Sequence, residues 1–380
     1  MPAHGPGSPL VPPFVPAAVH AFRDLDALDE AYTSSPPGFF YARDGHPNAA
    51  ELSDKLNALH NATWGAVTAS GMAAISAAVL PRVRSGDRIV ASDKLYGKTN
   101  VLFRELERFG VWTEFVDVCD LGAVSASLNR ERAAVLFVET LSNPNCRVCD
   151  LPAVADAAHK VGATVIVDNA FASPVLFRPL DHGADVVMES LTKIIGGHSD
   201  ITLGYLGGKD ATFGAAAISG VSTFGFNASP FDCWLALRSL ETLDLRVDFA
   251  ADNAAEVADW LATRPEVSRV VYPGRPDHPD APTAAKLLPR GCGHMLCFEL
   301  PGGRVAVNRF LRAAPGIPLA PSFGHTGTTI SHPVTASHRY ESEEAKARQG
   351  ITPGLIRLSV GCEPLERITA ELEKGLRASG

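Results

Sequence analysis

The sequence predicts an α/β protein: a large domain built on a mainly parallel sheet, followed by a smaller α+β C-terminal domain. Three observations carry this reading. Short apolar runs alternate with stretches of helical spacing between Arg88 and Met188, and repeated strand–helix units imply parallel strands joined by right-handed crossovers. The chain has 380 residues, 46% of them hydrophobic, enough to bury a large core and to divide into two domains. The pattern changes near Ser229, where a long amphipathic stretch begins. The expected organisation is therefore an N-terminal arm at 1–45, a large domain at 46–228 and a C-terminal domain at 229–380.

Residues 2–16 hold many prolines and few backbone donors, so they read as an extended arm. A short helix is expected over Phe22–Tyr32. The next segment, Gly38-Phe-Phe-Tyr41-Ala-Arg43-Asp-Gly-His46-Pro47-Asn48, reads on its residues alone as a loop with exposed aromatics. Glu51–His60 has helical spacing. Ser70 is an N-cap candidate, Gly71 permits close backbone approach, and an Ala-rich helix follows from Met72. The free N–H groups at such a helix start bind anions, although the stretch taken alone is also a plain capped helix. Arg88–Ala91 reads as a strand and leads to Tyr96-Gly97-Lys98, which has the form of a turn. Val135–Val138 is a buried strand ending in Glu139-Thr-Leu-Ser-Asn143-Pro144, and Leu151–Val161 is a helix. The apolar run Thr164–Val167 reads as a strand that ends on Asp168, and Ala184–Met188 reads as another. Past Ser229 one helix is expected to about Arg264. Strands at Val267–Tyr272 and His294–Leu300 follow, with helices at Val305–Ala313 and Leu365–Ala378.

Bulk properties narrow the partners. A net charge of −8 argues against nucleic acid and anionic membranes. No run approaches a transmembrane span, and the N-terminus lacks the basic-then-apolar pattern of a signal peptide, so a cytoplasmic protein is expected. The seven cysteines are odd in number and scattered, which fits reduced thiols better than a disulfide framework. Cys146-x-x-Cys149 has the form of a redox or metal pair, but no second such pair or His pair lies nearby, and no metal site is expected. No phosphate-binding Walker loop or complete dinucleotide fingerprint is present.

The chemistry concentrates between Val161 and Gly208. Lys193 is a lone cation with Leu191, Ile194 and Ile195 beside it, hydroxyls at Ser190 and Thr192, and the flexible run Gly196-Gly-His-Ser-Asp200 after it. A lysine held among apolar groups loses part of its preference for charge and becomes a usable nucleophile. An aspartate at the C-terminal end of a buried strand points into the crevice where open α/β sheets bind ligands. Separately, each residue has an ordinary structural reading, a loop lysine and a helix cap. Together with an anion site at Ser70, Gly71 and Met72 they match what pyridoxal 5′-phosphate (PLP) needs: an amine for its aldehyde, an acid for its ring nitrogen and a cradle for its phosphate.

Asp-Asn-Ala-Phe-Ala-Ser-Pro at 168–174 and Ser190-Leu-Thr-Lys193…Gly196-Gly-His-Ser-Asp200 resemble the PLP-binding core of the Cys/Met metabolism family. That family contains cystathionine γ-synthase, cystathionine γ-lyase, methionine γ-lyase and the homoserine-ester sulfhydrylases. The likeness runs from about Pro9 to the C-terminus. It implies PLP-dependent transferase fold type I with a seven-stranded sheet. It also implies that the arm crosses onto a neighbouring subunit, where Tyr41 and Arg43 bind the cofactor phosphate, and that the assembly is a homo-oligomer, a dimer of dimers. Tyr96 would stack on the pyridine ring and act as acid or base near the leaving group. Asn143 would contact the phenolic oxygen and help hold the substrate carboxylate. Arg357, in Leu355-Ile-Arg-Leu-Ser359, would clamp that carboxylate, where its residues alone also allow a buried ion pair. Ser322 would support Lys193 and the substrate site. His46, Asn48, Lys98 and Gly327 depart from the family pattern; at Gly327 cystathionine-using members carry an acid.

The resemblance implies γ-elimination or γ-replacement on a small amino acid of methionine, cystathionine or activated-homoserine type, through imine and vinylglycine-like intermediates. A PLP-dependent aminotransferase, or a specialised-metabolite enzyme on the same scaffold, is the alternative.

Overall fold

The computed structural model describes residues 9–34, 38–339 and 341–380; residues 2–8 of the expected arm lie outside them. The main sheet has seven strands: Trp64–Thr68 (β1), Arg88–Ser92 (β2), Trp112–Val116 (β3), Val135–Glu139 (β4), Thr164–Asp168 (β5), Val186–Ser190 (β6) and Gly204–Gly208 (β7). Their order is β1-β7-β6-β5-β4-β2-β3. The β3/β2, β2/β4, β4/β5 and β5/β6 pairs are parallel, and β7 runs antiparallel between β6 and β1. The mainly parallel sheet is thus as the sequence predicts.

Helices cover both faces, which explains why the central strands read as unbroken apolar runs. On one face Ala74, Ile75 and Ala78 of the helix Gly71–Val79 pack with Ile89, Phe137, Ile166 and Met188. On the other, Leu52, Leu56, Val154 and Ala158 pack with Val165 and Val187. A second sheet of Arg269–Val271 (β8), Met295–Glu299 (β9), Thr329–Ser331 (β10) and Leu355–Ser359 (β11) is antiparallel throughout, in the order β10-β11-β9-β8.

Several elements differ from expectation. The single helix expected from Ser229 to about Arg264 is two, Pro230–Leu240 and Leu243–Ala262. The break at Glu241-Thr242 lets the buried Arg246 reach back to the Ser239 carbonyl at 2.8 Å. The helix expected from Glu51 starts at Pro47, because the His46 ring accepts from the Ala49 N–H at 3.2 Å and caps it. The first helix is Leu25–Thr33, capped by Asp24. The strands β1, β3 and β7 and the helix Ala211–Thr223 have no counterpart in the sequence reading. In β7, Gly204, Gly207 and Gly208 erase the apolar pattern.

The described part of the arm makes contacts within its own chain. Asn48 accepts from the Val15 N–H at 3.0 Å and donates to the Pro13 carbonyl at 2.8 Å, while the Trp234 indole donates to Pro12 at 2.9 Å. His46 and Asn48, both 1% exposed, therefore serve the fold: one caps a helix, the other ties down the arm.

Candidate active site

The C-terminal ends of the parallel strands deliver the polar groups to one place, as open α/β sheets do. The loop after β2 brings Tyr96, β4 ends on Glu139 and leads to Asn143, β5 ends on Asp168, and β6 ends on Ser190 and runs into Thr192 and Lys193. The second sheet adds Arg357 from β11 and Ser331 from β10. These residues line a cavity of about 370 Å³ together with Ser70, Gly71 and Met72 at the start of the helix Gly71–Val79.

Lys193 is the centre of it. Its Nζ donates to the Ser322 Oγ at 3.1 Å and lies 4.8 Å from the centre of the Phe323 ring. Burial pulls its pKa down to about 8, with the nearby Arg357 adding to the effect and Asp168 opposing it. The lysine backbone is held tightly. Gly324, at φ +79°, lets its loop pass so close that an added Cβ would stand 2.4 Å from the Ile194 nitrogen. The Arg246 guanidinium donates to the carbonyls of Ile194 and Ile195. Thr192 is fixed as well, accepting from the Leu203 N–H at 3.2 Å and donating to its carbonyl.

Asp168 accepts from the Ala170 N–H at 2.9 Å. Burial raises its pKa to about 7; Glu189 adds to the rise, while the Ala170 bond and Lys193 oppose it. A carboxyl poised near neutrality can face a basic ring nitrogen and share its proton. Arg357 is 3% exposed and donates to the Asn143 Oδ1 at 2.8 Å and the Ser322 carbonyl at 2.7 Å. Its Nε is buried without a partner. Half of a guanidinium fork is thus committed to holding the arginine in place, with a donor left over for an anion.

At the helix start, Ser70 caps by accepting from the Ala73 N–H at 3.1 Å. Gly71 is pressed against β6: a Cβ there would stand 2.9 Å from Cβ and 3.0 Å from Oγ of Ser190. This is a glycine-lined cradle at a helix N-terminus with a hydroxyl beside it, a donor set suited to phosphate. The amine, the acid and the cradle fit PLP.

Tyr41 and Arg43 are not brought to this cavity. They line a separate recess of about 520 Å³. Tyr41 is 46% exposed, and Arg43, 54% exposed, stacks over the Tyr41 ring at 5.2 Å. Lys98 is exposed on the first turn of the helix Gly97–Leu106. Gly327 lies beside a carboxylate after all, that of Glu363, which is occupied by the N–H and hydroxyl of Thr328 at 2.6 and 2.9 Å. Cys146 and Cys149 are buried, and Cys146 donates to the carbonyls of Pro144 and Met295; among the described residues no group of three or more His, Cys, Asp or Glu is placed to hold a metal. Among the described residues no helix is long and apolar enough to cross a membrane.

The sequence reading gave no role to Arg246, Phe323 or Glu139. Arg246 had a signal, the one arginine in a helical stretch whose other charged residues are all acidic. Phe323 had none.

The family model described as "Cys/Met metabolism PLP-dependent enzyme" matches residues 8–377. The chain is 35% identical over 375 residues to L-methionine γ-lyase of Pseudomonas putida, covering 98% of this chain and 94% of that one. It is 36% identical over 360 residues to O-succinylhomoserine sulfhydrylase of Pseudomonas aeruginosa, covering 94% and 89%. Among solved structures, cystathionine γ-synthase of Xanthomonas oryzae pv. oryzae in complex with cystathionine superposes with a TM-score of 0.92 at 34% identity, covering 97% and 93%.

Proposed function

This chain belongs to the Cys/Met metabolism family of PLP-dependent enzymes, and we propose that it removes or exchanges the Cγ substituent of an amino acid of methionine, cystathionine or activated-homoserine type. The observation that carries the proposal is the convergence of Lys193, Asp168 and Arg357 on one cavity. Methionine, O-succinylhomoserine and cystathionine, the compounds in the relatives' names, share a four-carbon amino-acid skeleton substituted at Cγ.

Lys193 would hold PLP through its amine, Asp168 would face the ring nitrogen, and the Gly71 and Met72 amides with Ser190 and Thr192 would receive the phosphate. When bound, PLP supplies an electron sink for negative charge at Cα. The chain's own groups do the rest. Arg357 clamps the α-carboxylate in an apolar floor where a bidentate pair is strongest, and its bond to Asn143 fixes the angle of the fork. The Lys193 amine, with a pKa near 8, is in part neutral at physiological pH and accepts the Cα proton. The Ser322 hydroxyl steadies that amine. Tyr96, 42% exposed at the cavity rim, lends a phenol proton to the departing group. Among the described residues the carboxylate beside Gly327, that of Glu363, is already engaged by Thr328, which favours methionine or O-acylhomoserine over cystathionine. Tyr41 and Arg43 would complete a neighbour's phosphate site, so the working unit is at least a dimer.

The test is a screen of purified holoenzyme across methionine, cystathionine, O-acyl- and O-phosphohomoserine, each with and without cysteine or sulfide, with products read by mass. A 2-oxo acid with ammonia marks elimination, and a sulfur-exchanged amino acid marks replacement. Turnover of none of them, or transfer of the amino group to a 2-oxo acid instead, sinks the proposal.

A further inference from the structure

We propose that Glu139 is a positioning residue whose side chain ties the loop that carries Tyr96 to the end of β4, the strand that leads to Asn143. The inference rests on the PLP reading above. Glu139 is the last residue of β4 and pairs in register with Asp168 at the end of β5. It is 8% exposed and lines the cavity. The Tyr96 N–H donates to its Oε1 at 2.7 Å. Tyr96 reaches it from the loop after β2, while Asn143 follows four residues later on Glu139's own chain segment. One side chain thus holds the loop of the aromatic ring against the strand end that leads to the amide.

No other cap does this work. The helix Gly97–Leu106 has no side-chain cap at Tyr96, and Glu139 supplies an acceptor at that end from another strand. A buried amide left without an acceptor is costly, so the Tyr96 loop is held to the position of this one group.

The role needs reach, not charge. Burial and the adjacent Asp168 push the Glu139 pKa well up, against the Tyr96 amide bond. Two neighbouring carboxylates are not both ionised cheaply, and the ring nitrogen needs the charge on Asp168. A neutral acceptor of the same length therefore serves as well as the acid. A shorter carboxylate keeps the charge but draws its oxygens back by one methylene and loses the Tyr96 amide.

The pair Glu139→Gln and Glu139→Asp separates reach from charge, and both replacements are polar. Each protein is stripped of PLP and titrated with it, reading affinity and the visible circular dichroism of the bound cofactor, which reports the asymmetry of its surroundings independently of turnover. Glu139→Gln is expected to keep the wild-type signal and an affinity within about threefold; Glu139→Asp is expected to lose roughly tenfold or more in affinity and to change the dichroism. Glu139→Asp matching wild type, or Glu139→Gln as impaired as Glu139→Asp, overturns the clamp. If Glu139→Asp does not fold, Glu139→Gln decides alone: retained binding supports the clamp and lost binding refutes it. A wild-type protein that binds no PLP overturns the parent reading instead, so the two failures are distinct.

Discussion

Lys193 should make the PLP-free protein less stable than it need be. Its pKa falls from 10.5 to about 8 because burial disfavours the ammonium. That difference corresponds to at most roughly 3 kcal/mol of strain on the charged form. Replacing the residue by Met relieves it and fills the same volume. Two losses offset the gain. The bond to Ser322 disappears, about 1 kcal/mol, and Asp168 loses a nearby cation. The net expectation for Lys193→Met is an apoprotein about 1–2 kcal/mol more stable at pH 7.

The pH dependence carries the sign. With a folded pKa below the unfolded one, the unfolded chain binds the extra proton between about pH 8 and 10.5. The penalty is complete below pH 8, shrinks as pH rises, and is gone above the unfolded value. Urea denaturation of PLP-free wild type and Lys193→Met, at one protein concentration because association shifts the midpoint, should show a gap at pH 7 that shrinks as pH rises and reverses towards pH 11, where only the lost contacts remain. A variant no more stable at pH 7, or a gap that stays constant with pH, would refute the claim that burial tunes this amine.

Three further outcomes follow from the geometry. Arg357→Lys keeps a charge but loses the planar fork and the contacts to Asn143 and Ser322; KM for the amino-acid substrate should rise on the order of 10–100-fold while PLP affinity changes little, by steady-state kinetics and cofactor titration. Gly71→Ala places a methyl 2.9 Å from the Ser190 Cβ, so PLP affinity should fall about 5–30-fold, while the apoprotein's urea midpoint shifts less. Arg43→Ala and Lys193→Ala should each be inactive, yet a mixture refolded together should recover about a quarter of wild-type turnover, because half the dimers are mixed and each mixed dimer holds one intact site; no recovery would place both residues in one chain's site.

The parts legible in the sequence were those where polarity interrupts an apolar run. Asp168 and Glu139 stand at the ends of strands buried on both faces, and Lys193 stands among Leu191, Ile194 and Ile195. An exposed strand offers no such contrast, and the edge strand β3, with Thr113 and Glu114 in it, went unread. Strand β7 was hidden by glycines that close packing demands: a Cβ on Gly204 would stand 2.3 Å from the Ser70 carbonyl oxygen. Arg246 and Phe323 act through tertiary contacts with the Lys193 loop, and no local pattern marks which carbonyl or which amine a distant side chain will meet. The departures at His46 and Asn48 look different for the same reason. Their partners, Ala228 and Pro13, lie far along the chain, so the residues register as anomalies until the fold brings those partners near.

Charge balance in the cavity argues for what a single chain leaves unfinished. Among the described residues its lining cations are Lys193 and Arg357, and in the proposed reading both have other duties, one as the amine and the other at the substrate carboxylate. A phosphate ester brings close to two negative charges, and the helix start at Gly71 offers only partial positive charge, worth about 1 kcal/mol or less at an exposed end. A phosphate in that place would be better balanced by a guanidinium. Arg43 has one to give: it is half exposed, its ion pair to Asp44 is a loose 3.5 Å, and Tyr41 travels with it. An exposed pair of that kind contributes little to the chain's own stability. The arrangement makes physical sense if the arginine's stronger partner is a phosphate bound in the neighbouring subunit.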